Sequence, residues 1–509
     1  MIDHVCLIIP PSLFLLDERV FMSLGILKVA AVLEQEGVTV ELLDLSGVSN
    51  YEEALAAHLE ISPAQCFGLT ATTPQMPAAT SIHRTIRRLR PTARIILGGP
   101  HATLVCAAAK HERKRSVIGR AARAVKQLTG MFDVLVAGDG EFAVLEALQE
   151  APAGIIDGDD PRSQRFLTHA ALERLPFPAR HLVDVSSYRF SIDGTRALSM
   201  IAQLGCPFGC GFCGGRTSPS LRRIRTRSPE HIVNEMVHLY QAYGVTGFML
   251  YDDELNVNPK MVSLMSLIAN TQQRLGIEFR LRGFIKAELF TDEQAGAMYE
   301  AGFRWILVGF ESAHPRILDN IQKQATREEN ARCMDIARRH HLKVKALMSL
   351  GHPGESEETV QATRDWLVET GPDDFDATVI TTYPGTPYFD EAVETSPGTW
   401  TYTCRGSQDR LHSVEVDYRH VAEYYKGAPG NYTAFVYTDY LTSGRLVELR
   451  DELETDVRAK LALPFNPADP GLRYEHSMGQ GSLPPFILRA SSPSTMRAGN
   501  RTLRILPSR

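Results

Sequence analysis

The sequence is poor in cysteine and has no long apolar run. Only 8 of its 509 residues are Cys, far too few for a disulfide scaffold. No stretch approaches the ~20 consecutive apolar residues that span a bilayer. An excess of basic charge is also missing. Lys+Arg number 54 against 60 Asp+Glu, a formal net charge of −6, which argues against a nucleic-acid binder. The opening MIDHVCLIIP has an acid at Asp3, no basic region and a short apolar run, so it does not read as a secretory signal. A cytoplasmic, reducing location is the expectation. With 44% hydrophobic and 22% charged residues, the composition is that of a globular chain rather than a disordered one. The length suits about three domains.

Strand-like and helix-like segments alternate over the first 150 residues. Strand candidates are Val5–Ile9, Thr39–Leu43, Phe67–Ala71, Arg94–Leu97 and Asp133–Ala137, with helical segments at Leu24–Glu36, Ala78–Leu89 and Glu141–Leu148. This rhythm predicts an α/β domain over 1–150 with a Rossmann-like, doubly wound parallel sheet. Residues 151–195, rich in Pro and turn formers, read as a linker. Alternation resumes over 196–395, where Leu198–Leu204, Phe248–Tyr251, Glu278–Phe284, Trp305–Phe310, Val344–Leu350 and Ala377–Thr381 predict a partial (β/α)6 barrel. Residues 396–485 then read as a small, mostly helical C-terminal region with one charged helix at Leu441–Leu461, and 486–509 as a flexible tail.

The cysteines are unevenly spread. Cys206, Cys210 and Cys213 fall in Gly205-Cys-Pro-Phe-Gly-Cys-Gly-Phe-Cys-Gly-Gly, a C-x3-C-x2-C pattern just after the first strand of the second domain. Chance placement of that pattern is expected roughly 0.002 times per chain. Three thiolates on one glycine-rich loop suit an iron–sulfur cluster. A structural zinc site would want four ligands in paired spacing, and the closest histidine is His231. Cys333 and Cys404 belong to no such pattern.

This loop, with Phe212 before its last cysteine, resembles the signature of the radical S-adenosylmethionine (SAM) superfamily. The resemblance implies a [4Fe-4S] cluster whose open iron is chelated by SAM, and a 5′-deoxyadenosyl radical that abstracts hydrogen from substrate. It implies that Phe212 packs near the adenine. It also places the methionine amino group at the end of the second strand, Asp252-Asp253-Glu254, through Asp253 and Glu254. On the third strand Arg280, Arg282 and Lys286 are basic, and the resemblance gives Arg282 the methionine carboxylate. Val308-Gly-Phe-Glu311-Ser312 matches the family's G-x-E-S-like segment, giving Glu311 and Ser312 to SAM. Gly351-His352-Pro-Gly-Glu355 and Thr382-Tyr383-Pro-Gly-Thr-Pro387 match later turns, with Tyr383 a candidate to face substrate.

The first domain resembles the cobalamin-binding domains that precede many radical SAM cores. The matching residues lie where strands end: Leu24 and Gly25, Thr70, Thr72 and Thr73, Gly98 and Gly99, His101, and Glu141. One departure stands out. The D-x-H-x-x-G motif, whose histidine coordinates cobalt from below, is missing after the first strand, and His101 lies elsewhere. No G-x-G-x-x-G follows that strand either, which disfavours a nicotinamide dinucleotide.

Together the two resemblances imply methylation of an unactivated carbon in a small-molecule metabolite. They also imply an electron donor such as flavodoxin or ferredoxin, with no nucleic acid and no membrane span; oligomeric state is not legible. Radical rearrangement, cyclisation or oxidation without methyl transfer stays open, as does a sensor without catalysis. In the C-terminal region, Tyr418, Tyr424, Tyr425, Tyr432, Phe435 and Tyr437 are candidates to line a pocket, and Tyr474–Gly481 stands out from its surroundings without an evident role.

Overall fold

A computed structural model describes residues 2–12, 18–422 and 433–464. The expected tail, the Tyr474–Gly481 segment, Tyr424, Tyr425 and Tyr432 lie outside these residues.

The first sheet contains β1 (His4–Ile9), β2 (Thr39–Asp44), β3 (Cys66–Thr70), β4 (Arg94–Gly98), β5 (Val134–Gly138) and β6 (Ile155–Gly158). All pairings are parallel, in the order β2-β1-β3-β4-β5-β6. Apolar residues dominate the strands because helices cover both faces: one face packs Cys6, Ile8, Phe67 and Ile95, the other Val5, Leu7, Ile96 and Val136. The order reverses between β1 and β3, so the carboxyl ends of those strands flank the crevice where such sheets bind ligands. β6 lies in the segment the sequence assigns to the linker. It is four residues long and ends in Asp-Gly, which is too little pattern to separate it from the turns around it.

The second sheet begins with β7 (Ser191–Ile192), antiparallel to β8 (Thr195–Met200). A short ribbon, β9 (Gln203–Leu204) with β10 (Arg225–Thr226), flanks the cysteine loop. Then come β11 (Gly247–Leu250), β12 (Arg280–Ile285), β13 (Phe303–Glu311), β14 (Lys343–Leu350) and β15 (Asp374–Val379). Strands β8 and β11–β15 pair in sequence and in parallel, which is the partial six-stranded barrel. Outward residues such as Leu198, Phe248 and Leu281 join the helices in one large core, while Met249, Phe284, Trp305, Leu307 and Leu347 form a smaller inner cluster.

The C-terminal region differs from the mostly helical expectation. Its helix is present at Ser443–Leu461, but it is preceded by an antiparallel sheet of β16 (Val393–Ser396), β17 (Thr399–Thr403), β18 (Arg410–Val414) and β19 (Val436–Thr438). The physical reason is visible in TWTYT, a run of β-branched and aromatic residues. The helix seals the open edge of β15: Glu454 accepts from Ala377 N at 2.7 Å, and Arg458 donates to the Phe375 carbonyl. Side chains thus satisfy an edge that would otherwise be bare. Among the described residues no helix is long and apolar enough to cross a membrane.

Candidate functional site

The cysteine loop follows β9 at the mouth of the barrel. Gly205 has φ +87°, and a Cβ there would run into the Arg223 carbonyl oxygen. Only glycine suits that turn. The loop is tied down by its neighbours: Cys206 N donates to Leu221 O at 3.0 Å and Gly211 N to Ile321 O at 2.8 Å, while Arg216 donates to Gly209 O and Arg222 to Phe208 O. Cys206, Cys210 and Cys213 line a cavity of about 220 Å³ with Phe208, Phe212, Asp253, Glu254, Lys286, Glu311 and Lys323. Burial pushes the Cys206 thiol up to about 11. Burial also raises the Cys210 thiol, with Lys323 and Lys286 pulling the other way.

The lining of that cavity holds three cysteines, with no fourth cysteine and no histidine, which fits a cluster with one iron left open.

Of the acids after β11, Asp252 faces inward. It is buried and accepts from Ala202 N at 2.8 Å and from Gln203 N at 2.5 Å. Asp253 opens to the cavity. Glu254 has a buried Oε2 without a hydrogen-bond partner, and burial lifts its carboxyl to about 7 against the pull of Lys323 and Lys286. An unpartnered buried acceptor at this place fits an ammonium donor.

Glu311 ends β13 at a register shift, with φ +66°. This bulge turns its carboxylate into the mouth. Oε1 pairs with Lys323 Nζ at 3.2 Å, and Oε2 accepts from Ser349 Oγ at 2.7 Å. Ser349 continues to His352 Nε2 at 2.7 Å, and the His352 ring meets Phe212 edge-on at 5.1 Å. Burial lowers His352 to about 4. Burial opposes the charge on Lys323, yet Glu311, Cys210 and Glu254 raise its pKa.

Two residues expected to contact SAM lie outside the lining of this cavity. Arg282 does not line the cavity: its guanidinium lies 5.6 Å over the Trp305 ring, in a buried charged group with Asp374, Asp376 and Asp193. It is four residues, about 13 Å of strand, short of Lys286, which does reach the cavity. Lys286 pairs with Glu288, donates to Lys323 O at 2.9 Å and lies 4.2 Å over the Phe208 ring. Ser312 is buried against the helix Glu357–Thr370, with Oγ 3.2 Å from Thr363 Oγ1. Its one-residue offset from Glu311 turns it away. Lys323 went unread in the sequence because it follows a short helix rather than a strand end.

In the first domain, Thr70, Thr72, Thr73, Gly98, Gly99 and His101 gather at the carboxyl ends of β3 and β4. Gly99 has φ +90°, and a Cβ would lie 2.5 Å from Thr70 Oγ1. A glycine here lets the end of β4 pack directly against the end of β3. Gly25 is exposed, with open space where a Cβ would stand. Thr72 is exposed and caps the next turn through Gln75. Thr73 Oγ1 is 3.0 Å from His101 Nδ1, both buried, and burial lowers His101 to about 4. Two further residues expected at the cofactor are engaged within the protein. Leu24 is core, packed toward the barrel, and Glu141 is buried in an ion pair with Lys28 at 2.6 Å. Both side chains are buried within the protein.

The helix Pro100–Lys114 carries His101 at its start and Leu104 one turn on. Leu104 reaches the cysteine loop at Gly214 and the turn at Gly385. A second cavity, of about 300 Å³, lies beside it between the helix Arg120–Thr129 and Val414–Arg419, and includes His101, Arg120, Pro384 and Tyr418. Tyr383 does not line the cysteine cavity; its ring is 6.1 Å from Tyr418, at the side of this second one.

Comparison with known proteins agrees with both halves. Residues 200–367 match the radical SAM superfamily and residues 18–129 the B12 binding domain. An uncharacterized methyltransferase, PH0819, of Pyrococcus horikoshii is 26% identical over 328 residues, 64% of this chain and 69% of the relative. The anaerobic magnesium-protoporphyrin IX monomethyl ester cyclase of Cereibacter sphaeroides is 25% identical over 358 residues, 67% of this chain and 55% of the relative. In fold, the radical SAM methyltransferase TsrM from Kitasatospora setae, solved with tryptophan substrate and a SAM analogue, superposes with a TM-score of 0.64 at 19% identity, covering 95% of each chain. The cofactors are accordingly a [4Fe-4S] cluster, SAM and cobalamin. The chain thus carries a B12 binding domain ahead of a radical SAM domain, the pairing found in the cobalamin-dependent radical SAM enzymes that it resembles.

Proposed function

We propose that this enzyme methylates a carbon atom of a small-molecule metabolite, with cobalamin as methyl carrier. The observation that carries this reading is the approach of two edges: Leu104, one turn from the β4 end of the first domain, touches the cysteine loop of the second. Bound together, the cofactors supply reductive sulfonium cleavage, a carbon radical and a transferable methyl group.

The chain's residues divide the remaining work. Cys206, Cys210 and Cys213 hold the cluster. Asp253 and Glu254 accept from the methionine ammonium, while Lys286 and Lys323 offer positive charge for its carboxylate. Phe212, fixed by His352, stacks near the adenine, and Glu311 orients Lys323. Thr70, Thr72, Gly98 and Gly99 form the corrin side, with the Thr73–His101 pair holding the two loops together. The cavity beside Tyr383 and Tyr418 receives the substrate and keeps water from the reacting carbon. A low-potential donor of the flavodoxin or ferredoxin class, in a reducing cytoplasm, delivers the electron.

The test is anaerobic turnover of the reconstituted enzyme with methyl-deuterated SAM and candidate metabolites. A product carrying the labelled methyl, with 5′-deoxyadenosine formed, supports the reading. The similarity to a cyclase motivates a second one: 5′-deoxyadenosine with an unlabelled, oxidised or cyclised product would establish that instead.

A further inference from the structure

The first sheet carries another group of ligand-type side chains, away from the carboxyl edge. Cys6 is the third residue of β1 and stands opposite Glu41 of β2 in register. The helix Tyr51–Ile61 holds His58 beside them. Cys6 Sγ is 3.5 Å from His58 Nε2, which is 2.9 Å from Glu41 Oε2. All three ligand atoms lie within 4.8 Å of one another, and no other trio of His, Cys, Asp or Glu among the described residues does so.

The spacing has a specific meaning. A sulfur at ~2.3 Å and a nitrogen at ~2.0 Å from one tetrahedral zinc ion stand about 3.5 Å apart. The Cys6–His58 separation matches that value, while the 2.9 Å between His58 and Glu41 is a hydrogen bond that opens to about 3.3 Å around an ion. The charges also suit a divalent cation, since a thiolate and a carboxylate together balance it. Glu41 is oriented from outside by His4, whose Nε2 is 2.7 Å from Oε1. Cys6 is fully buried, but the side chains of Glu41 and His58 are 22% and 19% exposed, leaving a route from solvent.

We propose that Cys6, Glu41 and His58 form a zinc-class divalent-metal site that pins the helix Tyr51–Ile61 to β1 and β2, with water in the fourth position and His4 as a positioning residue. It is independent of the cluster loop and of the reading of catalysis above.

The test uses cluster-loaded enzyme exposed to Zn²⁺ and passed over a chelating resin, with zinc and iron per chain measured by mass spectrometry. Wild type is expected to retain one zinc per chain beyond its iron. His58→Gln and Cys6→Ser retain none, and His4→Gln weakens binding about 10-fold. The variant Cys206→Ala/Cys210→Ala/Cys213→Ala loses iron and keeps zinc. In that variant Co²⁺ gives a thiolate-to-metal charge-transfer band that Cys6→Ser removes, a readout that does not depend on the folding of the His58 variant. Failure of wild type to retain zinc overturns the proposal. So does zinc that survives His58→Gln in folded protein, or a cobalt spectrum without the thiolate band.

Discussion

Leu104 lies against Gly214, so that a Cβ on the glycine would stand 3.5 Å from each terminal methyl of the leucine. One residue belongs to the helix that follows β4 in the first domain, the other to the loop that carries the cysteines. The contact is reinforced nearby: Arg120 donates to Phe389 O at 2.8 Å with its guanidinium 3.6 Å over the Phe389 ring, and Asp159 accepts from Ser218 and Ser220 at 2.7 Å. A methyl group carried on one domain and a radical made on the other must meet, so this seam is where methyl transfer is most exposed to mutation.

Leu104→Ala removes the contact at a cost of about 2 kcal/mol in stability. Iron content and SAM cleavage are expected to persist, while transfer of labelled methyl falls at least several-fold. The ratio of 5′-deoxyadenosine to methylated product in one reaction reads this directly. A ratio equal to that of wild type shows that the seam does not couple the two halves.

Cys206→Ala, Cys210→Ala and Cys213→Ala are each expected to abolish cluster binding, because three ligands cannot be reduced to two without loss of the site. Cys333→Ala and Cys404→Ala leave iron unchanged: both are buried and neither lines the cysteine cavity. Iron analysis and cluster absorbance decide, and a full cluster in any one of the first three variants refutes the assignment.

The order of motifs was legible because each sits where a strand ends, and apolar runs of five or six residues locate strand ends well. Side-chain direction was less legible. Arg282 lies inside β12 and Lys286 one residue past its end, on the same side by alternation, and only the length of the strand inside the barrel decides which reaches the mouth. Glu311 and Ser312 differ by one residue, and the bulge that points Glu311 inward leaves no mark on composition. The partner of Glu141 is not legible, because an acid after a glycine turn looks the same whether it meets a cofactor or Lys28. Lys323 and Leu104 carry no motif at all. Their place comes from tertiary packing.

SAM affinity is expected to depend on pH through Glu254, whose carboxyl is raised to about 7, chiefly by burial. An ammonium ligand favours the ionised form, so affinity rises as pH climbs through about 7 and falls in acid. Folding of the ligand-free protein runs the opposite way. The buried acid holds its proton more tightly than the unfolded chain does, so its contribution to stability declines from its ordinary value near 4.5 up to about 7. Glu254→Gln should flatten the affinity profile and weaken binding about 10-fold. Calorimetric titration with SAM on cluster-loaded protein measures both, and an unchanged pH profile in the variant removes Glu254 from the site.

Gly211 bears on cluster assembly through sterics alone. Its N donates to Ile321 O at 2.8 Å, and a Cβ would come 2.6 Å from Cε1 of the buried Tyr388 ring. That approach is closer than packed carbons tolerate, and Tyr388 has no room to retreat because its other side meets Tyr402, 4.8 Å between ring centres. Gly211→Ala must therefore push the loop outward between Cys210 and Cys213. The expected result is folded protein with several-fold less iron after reconstitution. Tyr388→Leu keeps an apolar side chain while removing the offending ring edge, so Gly211→Ala/Tyr388→Leu should regain iron relative to Gly211→Ala. If the single variant assembles a full cluster, the loop is more yielding than its packing indicates. If the double variant is no better than the single one, the defect lies in the loop's own backbone rather than in the contact with Tyr388.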